Sequence, residues 1–511
     1  MPSARQALGR WLRRSAAFFD GGFTTAASPY EGGAQGRRTI GWNAPSTTAN
    51  TAVLSNLTTL RNRSRRAARN DGYAKGALDA IVRNVIGTGI KPMSQADDEA
   101  FRRLVTVLFL NWTDESDADG VLDFYGQQSL AVREWMEGGE AFVRRRKRFP
   151  SDGLSVPLQL QIIEPELLQH QRNGFAPNGN RIRAGIEYDA IGRRVAYWFD
   201  RERPDIDDVM GVEVRRVTAD NIVHLYDPLR AGQMRGLPDL TASLVRFYEI
   251  DKLDDFTLIH EQIGNLFAGF VHSAISGTEV DHSTLTGQTI QQGKDGKETI
   301  TLEPGALQQL APGEEISFTE PPGVGQNYMN FIKHQLRAAF AAARVPYEVV
   351  TGDLSGLNDR VMRVILNEFR RGVMAWQHQQ VIFQLCRPVW NWWFEAANLS
   401  GALPLPPAAF AQNRQRWAAV KWMPQGWPYI NPVQDIEASR DAVRDGFSTR
   451  KAEVSERGED SELIDQENAS DNDRADKLGL KYDSDGRRPL NAKVVAPVDE
   501  SSSSSTQPAN A

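Results

Sequence analysis

The sequence predicts an α+β fold, and three observations lead to that class. Apolar residues recur every three to four positions over residues 235–270, 326–343 and 360–386, which is typical of long amphipathic helices. Residues 140–226 consist of short β-like runs separated by Gly, Pro, Asn and Asp, which favours a mostly antiparallel sheet. Residues 273–325 are polar and rich in Gly, Thr and Gln, with short strand-like pieces, which indicates a small β-rich insertion between two helices.

The composition indicates a globular protein with more than one structural region. A length of 511 residues exceeds the usual span of about 100 to 200 residues per domain, so two to four regions are expected. The apolar content of 41% suffices for a folded core, and the net charge of −6 argues against a protein that grips nucleic acid over its whole surface. No run approaches the roughly 20 apolar residues of a membrane span, and no signal peptide is expected.

The cysteine content favours a reducing compartment. Cys386 is the only cysteine, so the chain forms no internal disulfide. Its apolar neighbours on a predicted helix favour a buried structural thiol over a nucleophile.

The N-terminal region combines a flexible basic arm, residues 1–49, with a helical pattern from Asn50 to Val85. The arm could touch acidic partners or be solvated. Five arginines cluster within nine residues of the helix, and two interpretations stay open: they neutralise phosphates, or they pair with acidic neighbours or other subunits. These are Arg61, Arg63, Arg65, Arg66 and Arg69.

Gly87-Thr88-Gly89 is predicted to end that helix at Ile86, and Pro92 prevents its continuation. A Gly-x-Gly pair occurs in phosphate-binding loops, but here no Gly-Lys-Ser/Thr ending follows. Short helices are expected over residues 96–111 and 123–138.

A long helix is predicted from Arg235 to Phe270, with Pro238 in its first turn. His260-Glu261-Gln262-Ile263-Gly264 begins like the HExxH zinc motif, but Gly264 occupies the place of the second histidine, which excludes that motif. After the β-rich insertion, another helix is expected over residues 326–343.

The stretch from Val345 to Asp359 is predicted to be a flexible loop, because proline, glycine, aspartate, serine and asparagine punctuate it. A helix of roughly 40 Å is expected from Arg360 to about Cys386, with Pro388 ending or kinking it. Further helices are predicted from Pro432 to about residue 446 and as an acidic pair over residues 451–476, followed by a disordered tail from about residue 484.

No catalytic pattern emerges from the chain. The sequence lacks a P-loop, a GxSxG nucleophile elbow and a Cys/His metal spacing, so no enzymatic activity and no cofactor or metal are expected. Four neighbouring carboxylates are better explained as solvated charge than as a two-metal nuclease site. They are Asp114, Glu115, Asp117 and Asp119.

Several segments, in their order along the chain, resemble the lambda-like portal proteins of tailed bacteriophages. Each is weak alone, but together they cover nearly all of residues 50–460. They include RNDGYAKGALDAIVRNVIGTGIKP (69–92), DFYGQQSLAVREWMEGGEAFVRRR (123–146), QIIEPELL (161–168), VPYEVVTGDLSGLN (345–358) and NPVQDIEASRDAVRDGF (431–447).

The resemblance implies a portal fold assembled as a ring of about twelve subunits at one capsid vertex. It divides the chain into a wing (50–235, completed by the helix and segment 360–430), stem helices (236–270 and 326–344), a clip (271–325), a tunnel loop (345–359), a crown (431–483) and a disordered tail (484–511). Such a ring carries double-stranded DNA during packaging and ejection.

The resemblance also implies where partners and DNA are met. The tunnel loop includes Val345, Gly352, Asp353, Ser355, Gly356, Asn358 and Asp359. Candidate DNA-channel cations are Lys333, Arg337, Arg344 and Arg360. Candidate docking residues of the clip are Lys294, Asp295, Lys297, Glu314 and Glu315.

The implied partners are further copies of the chain, the terminase large subunit, a major capsid or scaffold protein and head-completion proteins, with no membrane. The expected location is the virion, after assembly in the host cytoplasm. The chain departs from many relatives after the loop asparagine, where it carries Asp359, Arg360 and Val361 instead of a tyrosine and two small hydroxyl residues. The alternatives are another oligomeric head-tail connector or assembly protein and, third, a DNA-processing enzyme.

Overall fold

The computed structural model describes residues 44–200, 214–265, 269–273, 290–292, 298–300, 314–318, 328–427 and 431–480, together with 482 and 487. Its helices and antiparallel sheets confirm the α+β class. Residues 1–43 of the basic arm and most of the C-terminal tail lie outside these residues.

The first helical region consists of three helices rather than the single one expected: α1 (Ala49–Leu54), α2 (Leu57–Asn70) and α3 (Gly72–Val85). The break between α2 and α3 has a clear cause, because the Asp71 carboxylate accepts hydrogen bonds from the amides of Tyr73 and Ala74 and so starts a new helix. The end of α3 at Val85, before the glycine turn, agrees with the prediction.

Strand β1 (Lys91–Ser94) leads to α4 (Glu99–Glu115) and α5 (Phe124–Gly138). Asp98 and Asp123 cap these two helices, so α4 begins three residues later than predicted and α5 within one residue of the prediction.

The described residues between 140 and 226 form antiparallel strands, as predicted, but in two sheets rather than the single sheet expected. The strands are β2 (Glu140–Lys147), β3 (Leu158–Ile163), β4 (Gly174–Phe175), β5 (Arg181–Arg183), β6 (Ile186–Tyr188), β7 (Arg194–Asp200), β8 (Val214–Thr218) and β9 (Ile222–Tyr226). One sheet has the order β3-β2-β9 and the other β4-β5-β6-β7-β8. Apolar residues of both, including Phe142 and Phe199, share one buried core.

The next helix starts later than predicted. Residues Asp239–Ala242 form a 3-10 turn, and α6 spans Leu244–Asn265. Strands β10 (Gly269–Ser273) and β13 (Glu314–Phe318) pair antiparallel, as do β11 (Ile290–Gln292) and β12 (Glu298–Ile300). Helix α7 (Tyr328–Ala342) follows.

The helix predicted over residues 360–386 is longer than expected. After α8 (Tyr347–Thr351) and a loop, α9 spans Asp359–Trp376 and continues as a π-helical segment, Gln377–Cys386, into α10 (Arg387–Leu399). Pro388 therefore does not end the helical run. It lies in the first turn of α10, where its missing N–H is tolerated.

The C-terminal third completes the structure. Helices α11 (Pro407–Gln412) and α12 (Arg414–Trp417) precede β14 (Val420–Met423), which pairs with β1. Helix α13 (Pro432–Arg444) and the pair α14 (Arg450–Glu456) and α15 (Ser461–Lys477) match the predicted helices.

The largest core combines helices from both ends of the chain. Trp112, Trp393, Phe340 and Cys386 are fully buried in it. Cys386 is buried, as predicted, and burial raises the pKa of its thiol. Within the described ranges, no helix is long and apolar enough to cross a membrane, and no group of acidic, His or Cys side chains could hold a metal ion.

Candidate functional site

The predicted tunnel loop is only partly a loop. Val345 is buried in the main core, and Tyr347–Thr351 forms α8, so the irregular part is confined to residues 352–358. Gly352 and Gly356 have φ values of 69° and 75°, which favour glycine. Asn358 ends the loop, because its side chain accepts a hydrogen bond of 2.9 Å from the Val361 amide and caps α9.

Asp353 organises this loop. Its Oδ2 accepts hydrogen bonds from Lys333 Nζ at 2.5 Å and from the Tyr347 hydroxyl at 3.1 Å. Its Oδ1 accepts the Ser355 amide at 3.0 Å. The hydrogen bond from Lys333, followed by those from Ser355, lowers the pKa of Asp353. The base of the loop is thus fastened to α7 rather than flexible throughout.

Two further candidate channel cations are also paired within the chain. Arg337 on α7 lies 3.3 Å from a Glu348 carboxylate oxygen. Arg344 contacts Asp239 and, at 3.2 Å, Asp227, and its guanidinium lies 4.6 Å from the ring centre of Trp376. Arg344 has a positive φ of 60°, a conformation that non-glycine residues rarely adopt. These contacts fix the turn between α7 and α8.

Arg360 differs from the other three. It is exposed in the first turn of α9, and no carboxylate of the described residues pairs with it. Its neighbour Asp359 lies 3.3 Å from Arg363. The positive end of the helix dipole disfavours a cation at this position, and the Arg360 side chain is exposed to solvent.

A groove of about 830 Å³ runs beside these residues, between α9 and the segment 344–348. Arg337, Arg344 and Glu368 contribute charge to its lining, and Phe369 and Trp376 contribute apolar surface. Gln380 also lines it, and its Oε1 has no hydrogen-bond partner among the described residues.

The π-helical segment is held by glutamine side chains. Gln384 Oε1 accepts a hydrogen bond of 3.0 Å from the Tyr226 amide, and Gln384 Nε2 donates one of 3.1 Å to the Tyr226 carbonyl. The side-chain amide thus replaces the backbone of a neighbouring strand. Gln377 donates to the Val85 carbonyl at 2.9 Å. The long helix is therefore fastened to β9 and to the end of α3.

A buried polar network around Glu140 was not predicted. Glu140 is fully buried and accepts hydrogen bonds from Arg61 at 2.9 Å, Arg235 at 2.5 Å, the Gly236 amide at 3.1 Å and His224 at 2.9 Å. Burial alone would raise its pKa, but the charge of Arg235 and the hydrogen bond from His224 hold the pKa of Glu140 well below its usual range. The spacing of these residues along the chain carries no signal that would bring them together.

The structure shows the partners of two of the five clustered arginines on α2. Arg61 is buried against Glu140, and Arg65 binds Glu134 at 2.8 Å and Glu166 at 2.6 Å. These two arginines therefore pair with acidic neighbours in the same chain. The other three remain exposed: Arg63, Arg66 and Arg69.

The acidic cluster at the C-terminal end of α4 is not uniformly solvated, which corrects the prediction for Asp117. Asp117 is buried, and its carboxylate accepts hydrogen bonds from the amides of Val121 and Leu122 and from Gln127. Burial opposes its ionisation, but the amides of Val121 and Leu122 lower the pKa of Asp117. Asp114 and Asp119 are exposed.

The structure describes two of the five candidate clip residues. Lys294, Asp295 and Lys297 lie outside the described residues. Glu314 and Glu315 lie on β13, opposite Ser273 and His272 of β10.

Comparison with known proteins gives consistent matches over most of the chain. Residues 35–377 match the family described as phage portal protein, lambda family. A protein of Halomonas phage phiHAP-1 named "Probable portal protein" is 26% identical over 459 residues, which cover 84% of this chain and 83% of the relative. Portal protein B of Escherichia phage lambda is 20% identical over 489 residues, covering 85% and 87% of the two chains.

Solved structures with similar chains include the neck of a native gene transfer agent particle, with a TM-score of 0.42, 12% identity and coverage of 79% of this chain and 92% of the other. A chain of the native gene transfer agent virion gives a TM-score of 0.43 and 13% identity, covering 87% and 98%.

Proposed function

The chain belongs to the lambda family of phage portal proteins, and we propose that about twelve copies form the ring at one capsid vertex through which DNA is packaged and ejected. The observation that carries this proposal is the family match, which spans residues 35–377. The ring is a structural component of the virion with no catalytic activity of its own.

The proposed ring has the parts that the resemblance implies. The wing comprises residues 50–235 and 360–430, the stem 236–270 and 326–344, the clip 271–325, the tunnel loop 345–359 and the crown 431–483. Side-chain contacts between α6 and α7 support the pairing of the two stem helices. Arg246 donates to Gln335 at 2.5 Å, and the rings of Phe247 and Phe340 lie 5.7 Å apart.

The charge arrangement near the tunnel loop suits a conduit. Each firm contact with a phosphate stabilises bound DNA, and that stabilisation opposes movement. Lys333, Arg337 and Arg344 are neutralised by carboxylates of their own chain, so their attraction for DNA is reduced. Such residues shape the channel without holding the duplex strongly.

Arg360 is the candidate channel cation that retains its charge for DNA. It follows the loop directly, at the exposed start of α9. One such cation per subunit, repeated around a ring, gives a single belt of weak phosphate contacts. The exposed Leu354, beside Gly352 and Gly356, provides an apolar loop tip that slides past the duplex.

The partners follow from the same assignment. Terminase large subunit and later the head-completion proteins dock at the clip, and the major capsid or scaffold protein contacts the wing. Assembly takes place in the host cytoplasm before incorporation into the virion. The alternative is another oligomeric head-tail connector or assembly protein.

Electron microscopy of the purified protein tests the proposal. Closed rings of about twelve subunits with a central opening are expected. Monomers at all protein concentrations, or open filaments, would overturn the portal assignment. A ring too narrow for a DNA duplex would favour the alternative connector.

A further inference from the structure

Three arginines lie together at the rim of the core between the two sheets. Phe142 of β2 and Phe199 of β7 meet in that core, with ring centroids 5.2 Å apart. Side chains alternate along a strand, so Arg144 and Arg146 lie on the same face of β2 as Phe142. Arg215 of β8 is the direct cross-strand neighbour of Phe199. We call these the inter-sheet arginines: Arg144, Arg146 and Arg215.

The inter-sheet arginines lack carboxylate partners in the part of the chain that the structure describes, although their sequence neighbours have polar partners. Arg145 points to the opposite face and binds Glu395 at 3.1 Å. Arg216 binds Glu187 at 2.7 Å.

Electrostatics indicates that these three charges lie close enough to repel one another. Burial, followed by the positive charges of Arg146 and Arg215, lowers the pKa of Arg144. A half-buried Arg144 beside two other cations is unfavourable in isolation, and an anion bound from outside would relieve that repulsion.

We propose that the inter-sheet arginines bind the phosphodiester backbone of duplex DNA, at a site separate from the tunnel loop. This inference rests on the proposed function, which makes duplex DNA the polyanion that the protein meets. Guanidinium groups match phosphate oxygens in a bidentate geometry. Positions two apart on a strand place Arg144 and Arg146 roughly 6.6 Å apart, which allows them to contact separate phosphates along a DNA strand.

An acidic helix of a second copy is a less suitable occupant. The most acidic helix of the structure, α15, already has cations beside several of its carboxylates. Glu462 binds Arg102 at 3.0 Å, and Asp471 binds Arg474 at 2.9 Å. Docking of this helix would have to break existing pairs, whereas DNA brings phosphates whose counterions are released on binding.

The experiment measures binding of the full-length assembled protein to covalently closed circular duplex DNA between 50 and 200 mM NaCl. A closed circle cannot thread a preformed ring, so its binding reports sites outside the channel. The test variant carries Arg144→Gln, Arg146→Gln and Arg215→Gln. A matched control removes three exposed arginines that are already paired with aspartates: Arg193→Gln, Arg440→Gln and Arg474→Gln.

The test variant should flatten the slope of log K against log salt by about 2.7 per engaged subunit, since each lost phosphate contact contributes about 0.9. The control should leave the slope nearly unchanged. Replacing the inter-sheet arginines by lysine should retain most of the slope, because the charge remains. If the triple glutamine variant does not fold, the exposed single change Arg215→Gln should still flatten the slope by about 0.9.

Equal salt slopes for test and control variants would overturn the site. Stronger competition by polyglutamate than by DNA would assign it to an acidic protein instead. A loss of thermal stability in the test variant without loss of DNA binding would mean that a carboxylate of the chain itself is the partner, and would also overturn the proposal. Failure of the portal assignment is recognised separately, by the absence of rings in micrographs.

Discussion

Replacing Glu140 by glutamine tests whether the buried polar network holds the β region and the N-terminal helices together. The carboxylate accepts from two arginines that are themselves buried, Arg61 and Arg235. Glutamine keeps the volume but removes the negative charge. It also presents an amide N–H₂ group to a site lined by donors, since His224 and the Gly236 amide both donate to Glu140.

The expected loss of unfolding free energy is about 3–5 kcal/mol, the usual cost of removing one partner from a buried ion pair. Glu166, 4.0 Å from Arg61, compensates only one of the two arginines. Glu187→Gln is the matched control, because Glu187 is equally buried but its cation, Arg216, is 35% exposed and can be hydrated. Its loss should be smaller, about 1.5–3 kcal/mol.

Urea unfolding of both variants provides the measurement, at one fixed low protein concentration so that ring assembly does not contribute to the measured stability. Glu140→Gln should lower the urea midpoint clearly more than Glu187→Gln, with similar slopes. Equal midpoints would refute the reasoning, because they would mean that the two arginines find other partners at little cost.

Three further changes have outcomes that the structure specifies. Burial lowers the pKa of His224 from 6.5 to about 4, so between these pH values the unfolded chain binds a proton that the folded chain does not. The free energy of unfolding should therefore fall as the pH drops from about 6.5 to 4. His224→Gln should flatten this part of the curve of stability against pH, whereas His334→Gln, at an exposed position, should not. Asp117→Ala should cost about 2–3 kcal/mol in urea unfolding, since buried amides lose their acceptor, and the exposed Asp119→Ala less than about 0.5 kcal/mol. Lys333→Met should leave rings intact in micrographs but reduce the DNA retained in assembled particles, because the loop loses the contact between Lys333 and Asp353. The control is Arg371→Met, since Arg371 pairs with the exposed Glu368. An equal loss of retained DNA in both variants would contradict a role of the Lys333–Asp353 contact in DNA retention.

The sequence predicted the elements that depend on local patterns. Periodicity located the long helices. Alternation with turn residues located the antiparallel strands but not their division into two sheets. Errors arose where a single side chain overrides the pattern. Asp71 separates α2 from α3 within the one predicted helix by capping α3, and Pro388 is accommodated in the first turn of α10 after a π-helical segment.

The pairing of β1 with β14 could not be predicted, because more than 300 residues separate the strands and neither has a distinctive pattern. The same limit applies to the candidate site. The loop residues were recognised by composition and resemblance, but the contact between Lys333 and Asp353 depends on how α7 and the loop meet in space. Burial of Val345 likewise follows from tertiary packing, which the turn-forming residues around it do not reveal.

Charge pairing, rather than the position of basic residues in the sequence, separates structural cations from those that we propose to contact DNA. Arg61 lies in the most arginine-rich helix, yet its charge is fully used inside the fold. Lys333 lies beside the proposed channel, yet Asp353 neutralises it. No sequence pattern singles out Arg144 or Arg215, but among the described residues no carboxylate pairs with either guanidinium. In the proposed function DNA slides past the loop, and phosphate contacts there would oppose its movement. The pairing of Lys333, Arg337 and Arg344 with carboxylates of their own chain is consistent with that proposal.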